Sequence, residues 1–303
     1  MYEGLNSPSI HTPHSLQEYG QTAIRYPNVQ IWAGGTNIMT RPNAYPSRNT
    51  DSEIVYLNNI EELKKVARND RMIEVGSTVT LGSILKNHGT DIPDILRDNI
   101  RSIGSSLFTD RATIGGSIAA SNPMTSLPGT LITLGATAEV RTVKKKNVKS
   151  KWIPLYLMLN ESKDGKMTLP PRSLITRVRI SLLSSDYSYF RQEGSYVDDP
   201  ENTVAVAFTA SSSQDTLINP HLAITFPTKG IIYSKDLDNI LMQQHFPVSE
   251  EEFSQLLQII YTFINSVTQD ITSLQKKRLD NVMEDMVNMI NSNVLSPSAI
   301  DTL

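Results

Sequence analysis

The chain has 303 residues, a formal net charge of −3 and an apolar fraction of 39%, which is too long for one simple core and points to two or three packed units. No basic excess points to nucleic acid, and no uninterrupted apolar run is long enough to span a membrane. The absence of cysteine excludes disulfides, thiolate catalysis and iron–sulfur clusters ligated by this chain.

The first residues, Met1 to Asn6, lack the basic and apolar regions of a secretory signal, so a cytoplasmic location is expected. Ser15-Leu16-Gln17-Glu18 has the form of a capping box; Leu16, Tyr19 and Ala23 follow at helical spacing, and Pro27 closes the segment. Val29 to Ala33 reads as a short strand running into Ala33-Gly34-Gly35-Thr36-Asn37. The polar, proline-containing stretch Arg41 to Asp51 reads as loop, and Ile54-Val55-Tyr56-Leu57 as a second strand. Asn59 with Glu62 three residues on predicts a helix start, which puts a domain boundary near residue 58.

The middle of the chain alternates short strands and helices. Met72 to Val75 is strand-like, and Thr80 to Leu85 opens a helix. Ile92 to Ile103 predicts another, with Ile95, Leu96, Ile100 and Ile103 on one face. A second glycine pair follows in Thr113-Ile114-Gly115-Gly116-Ser117-Ile118-Ala119-Ala120. Leu131 and Leu134 lead into the strand pattern Ala138-Glu139-Val140, which stops at the basic run Lys144 to Lys146. Ile175, Val178, Ile180 and Leu182, with Arg177, Arg179 and Ser181 interleaved, mark the strand that ends this unit.

Tyr187 to Gln192, Thr203 to Ala210 and Leu222 to Phe226 read as strands of an antiparallel sheet. Ser249 and Glu252 form a capping box before Phe253, Leu256, Leu257, Ile260 and Ile264. Leu279, Val282, Met283, Met286, Val287 and Ile290 repeat that helical spacing. Strands first and helices last predict an α+β layer for this third unit.

Glycine pairs set in β-branched sequence let backbone N–H groups approach a ligand with no Cβ in the way, and anionic phosphate oxygens are their natural partner. Two such turns cannot be one P-loop, but they are suited to close on one long dinucleotide from opposite sides. Other candidates have plainer readings. The five histidines lack metal-ligand spacing beyond the His11/His14 pair, the Met283/Met286/Met289 stripe is most simply core, and the lysine run suits a solvated hairpin tip.

With these pieces in order, the chain resembles the FAD-binding medium subunit of the xanthine dehydrogenase and carbon monoxide dehydrogenase family of molybdenum hydroxylases. Ala33-Gly34-Gly35-Thr36-Asn37 is similar to the family's first flavin loop, usually A-G-G-T-D, and Thr113-Ile114-Gly115-Gly116-Ser117 to its second, usually T-I-G-G-N. Pro123-Met124-Thr125-Ser126-Leu127-Pro128, then Leu131, Leu134 and Gly135-Ala136, resembles the family's P-x-x-D-L-x-P segment and the helix after it. Tyr189-Phe190-Arg191-Gln192 followed by Asp198-Asp199 resembles the strand that opens its last domain, and Lys277-Arg278 falls in the place of its closing helix.

The resemblance implies an α+β chain: two subdomains of the PCMH or vanillyl-alcohol-oxidase-like type, 1–58 and 59–183, clasping FAD, and a C-terminal α+β domain, 184–303. It implies an oxidoreductase subunit that receives electrons from [2Fe–2S] clusters on a small partner chain, themselves fed by a molybdopterin-binding large chain. The electrons pass to FAD and on to NAD+ or another acceptor. Cofactor contacts are implied at Ala33, Gly34, Gly35, Thr36 and Asn37, at Thr113, Gly115, Gly116 and Ser117, and at Ser126 and Arg191. No catalytic side chain and no metal ligand is implied on this chain. The family's ribose-holding aspartate is here Ser126, its asparagine after the second glycine pair is Ser117, and its usual R-N is Thr109-Asp110. Together these departures support an alternative, a degenerate scaffold subunit that has weakened or lost FAD binding.

Overall fold

The computed structural model describes residues 9–39, 53–120, 125–144, 148–160, 165–227, 229–268 and 271–295. The expected loop at 41–51, Pro123-Met124 and Lys145-Lys146 lie outside the described residues. The chain is α+β throughout, built on three sheets among the described residues.

The first sheet is parallel. It takes β1 (Ser9–His11), then after α1 (Leu16–Arg25) comes β2 (Gln30–Trp32), and after α2 (Thr36–Met39) comes β3 (Glu53–Tyr56), in the order β1-β3-β2. Helix α1 starts where the capping signal places it: the Ser15 hydroxyl accepts the Glu18 N–H at 3.2 Å, and the Glu18 carboxylate reaches back to the His14 N–H at 2.8 Å. Its buried face, Tyr19 and Ala23, packs on Val55, Leu57, Ile60 and Leu63. The helix expected from Asn59 does not form. Two 3-10 turns, Leu57–Asn59 and Glu61–Lys64, stand there instead. Leu57, Ile60 and Leu63 are buried at a spacing of three, the repeat that eclipses side chains on one side of a 3-10 turn.

The second unit contains β4 (Val66–Arg68), β5 (Met72–Gly76), α3 (Leu81–His88), α4 (Asp94–Ser102), α5 (Ser106–Thr109), α6 (Ile114–Ala119), α7 (Leu127–Thr133), β6 (Thr137–Val143), β7 (Val148–Pro154), α8 (Leu155–Asn160) and β8 (Ser173–Ser181). Its five strands run antiparallel in the order β4-β5-β8-β6-β7. Ile73, Val75, Val178 and Ile180 bury one sheet face against Leu81, Ile84, Leu96 and Ile100 from the helices. The opposite face holds charge. Arg177 bridges Glu74 and Glu139, each at 2.9 Å, Arg179 meets Glu74 at 2.6 Å, and the Arg179 guanidinium lies 4.0 Å from the centre of the Trp152 ring.

The third unit is the antiparallel sheet β9 (Tyr187–Glu193), β10 (Val204–Ser213), β11 (Thr216–Phe226) and β12 (Gly230–Ile232), followed by α9 (Lys235–Met242), α10 (Glu250–Val267) and α11 (Ser273–Leu295). The Ser249/Glu252 capping box forms in full at the start of α10. Leu256, Ile260 and Ile264 of α10 and Leu279, Val282, Met283 and Met286 of α11 cover Val204, Val206, Phe208 and Ile224 of the sheet. Helix α7 joins the second and third units: the Thr209 hydroxyl donates to the Thr133 carbonyl at 2.8 Å, and Gly129 packs against Thr225. Among the described residues no helix is long and apolar enough to cross a membrane.

The Glu139 carboxyl carries a pH signature. Burial works to raise it, but hydrogen bonds from Arg177 and Thr176, with the charges of Arg177 and Arg141, outweigh burial and leave it below its ordinary 4.5. A carboxyl lowered in the native state stabilises the fold above its unfolded pKa and loses that contribution as pH falls through the native value. Glu139→Gln is therefore expected to flatten the loss of stability that begins below pH 4.5, measured by urea denaturation at stepped acidic pH.

Candidate functional site

The two glycine turns face a single cavity of about 430 Å³, within the range of roughly 300–1,000 Å³ typical of small-molecule sites. Ala33, Gly34, Gly35, Thr36 and Asn37 form one wall, and Thr113, Gly115, Gly116 and Ser117 form another. Val29, Ile31, Leu57, Leu174, Phe108 and Leu169 supply apolar surface between them.

Contact between the turns is direct. A Cβ on Gly34 would lie 1.9 Å from the Arg111 carbonyl oxygen, so only glycine lets the first turn sit against the approach to the second. Gly35 has φ +74°, the left-handed conformation that glycine adopts without a Cβ penalty. Strand β2 delivers this turn and α2 carries the chain away, so the N–H groups at the turn belong to a strand-to-helix junction. Those of Gly34 and Gly35 have no hydrogen-bond partner among the described residues. They are open donors.

The second turn differs from the expectation of a matching set of open amides. It forms the first turn of α6, capped by Thr113, whose hydroxyl accepts the Gly116 N–H at 3.1 Å. The Ile114 N–H donates to the Val79 carbonyl at 3.1 Å, Gly115 to Ser77 at 2.9 Å and Ser117 to Thr113 at 2.9 Å. The amides are spent inside the protein. Here the glycines serve close packing: a Cβ on Gly115 would come within 2.5 Å of the Ser77 Cβ. What this wall offers a ligand is a surface without side chains, with the Ser117 hydroxyl at its rim.

The structure does not bring Ser126 or Arg191 to the cavity. Ser126 is 2% exposed. It accepts from Asn99 Nδ2 at 2.5 Å, and Asn99 also donates to Thr130 at 3.0 Å. The buried Tyr196 phenol sits beside Ser126, its pKa raised by burial against a smaller pull from Ser126. A serine fits this space and holds α4, α7 and the third unit together. Its neighbour Thr125 is the residue that reaches the cavity wall. Arg191 lies on β9 and is tied to Asp285 of α11 at 2.6 Å and to Glu193 at 3.1 Å. The hydrogen bond from Arg191, with another from the Tyr189 phenol, holds the Asp285 carboxyl below the usual carboxylate range. This arginine fastens the last helix to its sheet.

Among the lining residues that sequence reasoning does not assign to the site are Ser77, Phe108 and Leu169. Ser77 carried a readable signal. Gly76-Ser77-Thr78 ends β5 with the same glycine-then-hydroxyl order as Gly35-Thr36 and Gly116-Ser117. Phe108 and Leu169 are ordinary apolar residues, and nothing in their local pattern separates them from the core.

The arrangement fits a dinucleotide. Open amides at one wall suit a diphosphate, and the apolar walls suit a flat heterocycle. A family model described as the FAD binding domain in molybdopterin dehydrogenase matches residues 5–182. A search of curated proteins found no match. Among solved structures, quinoline 2-oxidoreductase from Pseudomonas putida 86 superposes with a TM-score of 0.70 at 18% identity, covering 95% of this chain and 99% of that one. Reconstituted CO dehydrogenase from Oligotropha carboxidovorans gives 0.72 at 15% identity, over 95% of this chain and 98% of that one. Carbon monoxide dehydrogenase from Hydrogenophaga pseudoflava gives 0.71 at 14% identity, over 96% and 98%. At these identities the likeness establishes the fold.

The two glycines of the first turn are expected to respond differently to substitution. Gly35→Ala meets only an ordinary van der Waals contact, 3.9 Å from the Trp32 ring, and should cost about 1–2 kcal/mol, the left-handed penalty alone. Gly34→Ala must push two backbones apart and should cost more, with denaturant titration as the measure. Ser126→Ala leaves the Asn99 amide short of a buried partner and should cost about 1–3 kcal/mol of stability, while FAD affinity by fluorescence titration stays unchanged.

Proposed function

Because this chain belongs to the family of FAD-binding domains of molybdopterin dehydrogenases, we propose that it is the FAD-carrying electron-transfer subunit of a molybdenum hydroxylase complex. In this reading the units 1–58 and 59–183 clasp the cofactor, and 184–303 forms the domain behind them. Electrons taken from a substrate at a molybdopterin-binding large subunit pass through [2Fe–2S] clusters on a small subunit. They reach FAD on this chain and leave for NAD+ or another acceptor, in the cytoplasm. The superposed structures, a quinoline oxidoreductase and CO dehydrogenases among them, support this class; in this reading the partner subunit chooses the substrate.

The observation that carries the reading is the meeting of two glycine turns on one cavity, with open N–H groups at Gly34 and Gly35. FAD, when bound, supplies the hydride and one-electron chemistry. The chain's own residues hold and orient it. Gly34 and Gly35 would donate to the diphosphate, Thr36 and Asn37 would border it, and Thr113, Gly115, Gly116 and Ser117 would bound the opposite side without crowding. Val29, Ile31 and Phe108, which line the cavity, would keep water from the cofactor's rings. No proton transfer by a side chain of this chain is required.

A second reading, a scaffold that has dropped the cofactor, draws on two observations. The second turn's amides are already bonded, and Ser126 sits in an interior cluster. Titration separates the two. FAD at a hundredfold excess over its dissociation constant is expected to stabilise the purified protein by about 2.7 kcal/mol, with a visible flavin spectrum retained through gel filtration. A colourless protein with no thermal shift on FAD addition favours the scaffold.

A further inference from the structure

Ser77 lies at the end of β5, in the wall of the cavity, and is 4% exposed. Its backbone is fully engaged on both sides: its N–H donates to the Thr176 carbonyl at 3.0 Å, and its carbonyl accepts the Gly115 N–H at 2.9 Å. Its hydroxyl is different. It is shut off from solvent and has no hydrogen-bond partner among the described residues.

Buried hydroxyls are normally paired, and one that is not calls for a specific reason. Three neighbouring hydroxyls that line the cavity are accounted for. Thr78 donates to the Leu63 carbonyl at 3.0 Å, Ser173 pairs with Thr142 at 2.7 Å, and Thr113 caps α6. The amides of the second glycine turn are also consumed, so this wall lacks a backbone donor for an anionic ligand. Ser77 sits directly beneath that turn, pressed against Gly115 closely enough that no Cβ fits between them. Its backbone is pinned, so rotation about the Cα–Cβ bond is the freedom left to the hydroxyl.

We infer that the Ser77 hydroxyl is a further contact to the bound dinucleotide, donating to an oxygen of its adenosine diphosphate half in place of the missing amides. This rests on the proposed FAD site and adds a donor that neither glycine motif contains. It also gives this wall a donor of its own, where the amides of the second turn are bonded inside the protein.

The test is equilibrium titration of the full chain and of Ser77→Ala with FAD and with ADP, alongside urea denaturation of the ligand-free proteins. Ser77→Ala is expected to weaken both ligands roughly five- to tenfold, the effect of one hydrogen bond, with unchanged or higher ligand-free stability. Ser77→Cys, nearly isosteric and a weak donor, is expected to fall between the two and guards against misfolding of the alanine variant. If wild type binds FAD and both variants bind FAD and ADP equally well, the inference fails and the site reading stands. If wild type binds neither ligand, both fail.

Discussion

The close approach of Gly34 to the Arg111 carbonyl is the constraint on which the site depends. It presses the turn at the end of a parallel strand against the segment that leads into α6, with no room for a methyl group. Two sheets of different construction thereby share one cavity. A side chain at Gly34 would separate them and pull the turn of Gly34 and Gly35 away from the wall made by Gly115 and Gly116. A second approach of the same kind, Gly115 against Ser77, fixes the floor of that wall.

The two glycine pairs therefore do different physical work from nearly the same sequence. The first keeps its N–H groups free because β2 ends and a short helix begins, with Gly35 in the left-handed region. The second lies within the first turn of α6, where Thr113, Val79 and Ser77 take up the amides. A glycine pair in sequence announces that the backbone must come close to something. Whether that something is ligand or protein is decided by neighbours distant in the chain.

This explains which parts were legible. Helix starts with local capping chemistry, at Ser15, Thr80 and Ser249, read correctly because the deciding hydrogen bonds lie within three residues. The antiparallel sheet of the third unit and its two covering helices followed from apolar periodicity. The turn at Asn59 did not read correctly, because burial of Leu57, Ile60 and Leu63 against α1 overrode a plausible helix cap. Strand β7 was missed because its exposed, lysine-rich positions lack strand alternation. It is an edge strand, where lysines discourage pairing with another chain. At the site, the glycine motifs found the cavity. The destinations of Ser126 and Arg191 depend on Asn99 and Asp285, partners that no local pattern announces.

The central claim concerns which amides meet the cofactor, and hydrogen–deuterium exchange with and without FAD tests it most directly. In the ligand-free protein the amides of Gly34 and Gly35 should exchange quickly, and those of Gly115 and Gly116 slowly, since only the latter are internally bonded. FAD should slow exchange at Gly34 and Gly35 and leave Gly115 and Gly116 little changed. Fast exchange at Gly34 and Gly35 that persists under saturating FAD would contradict the account.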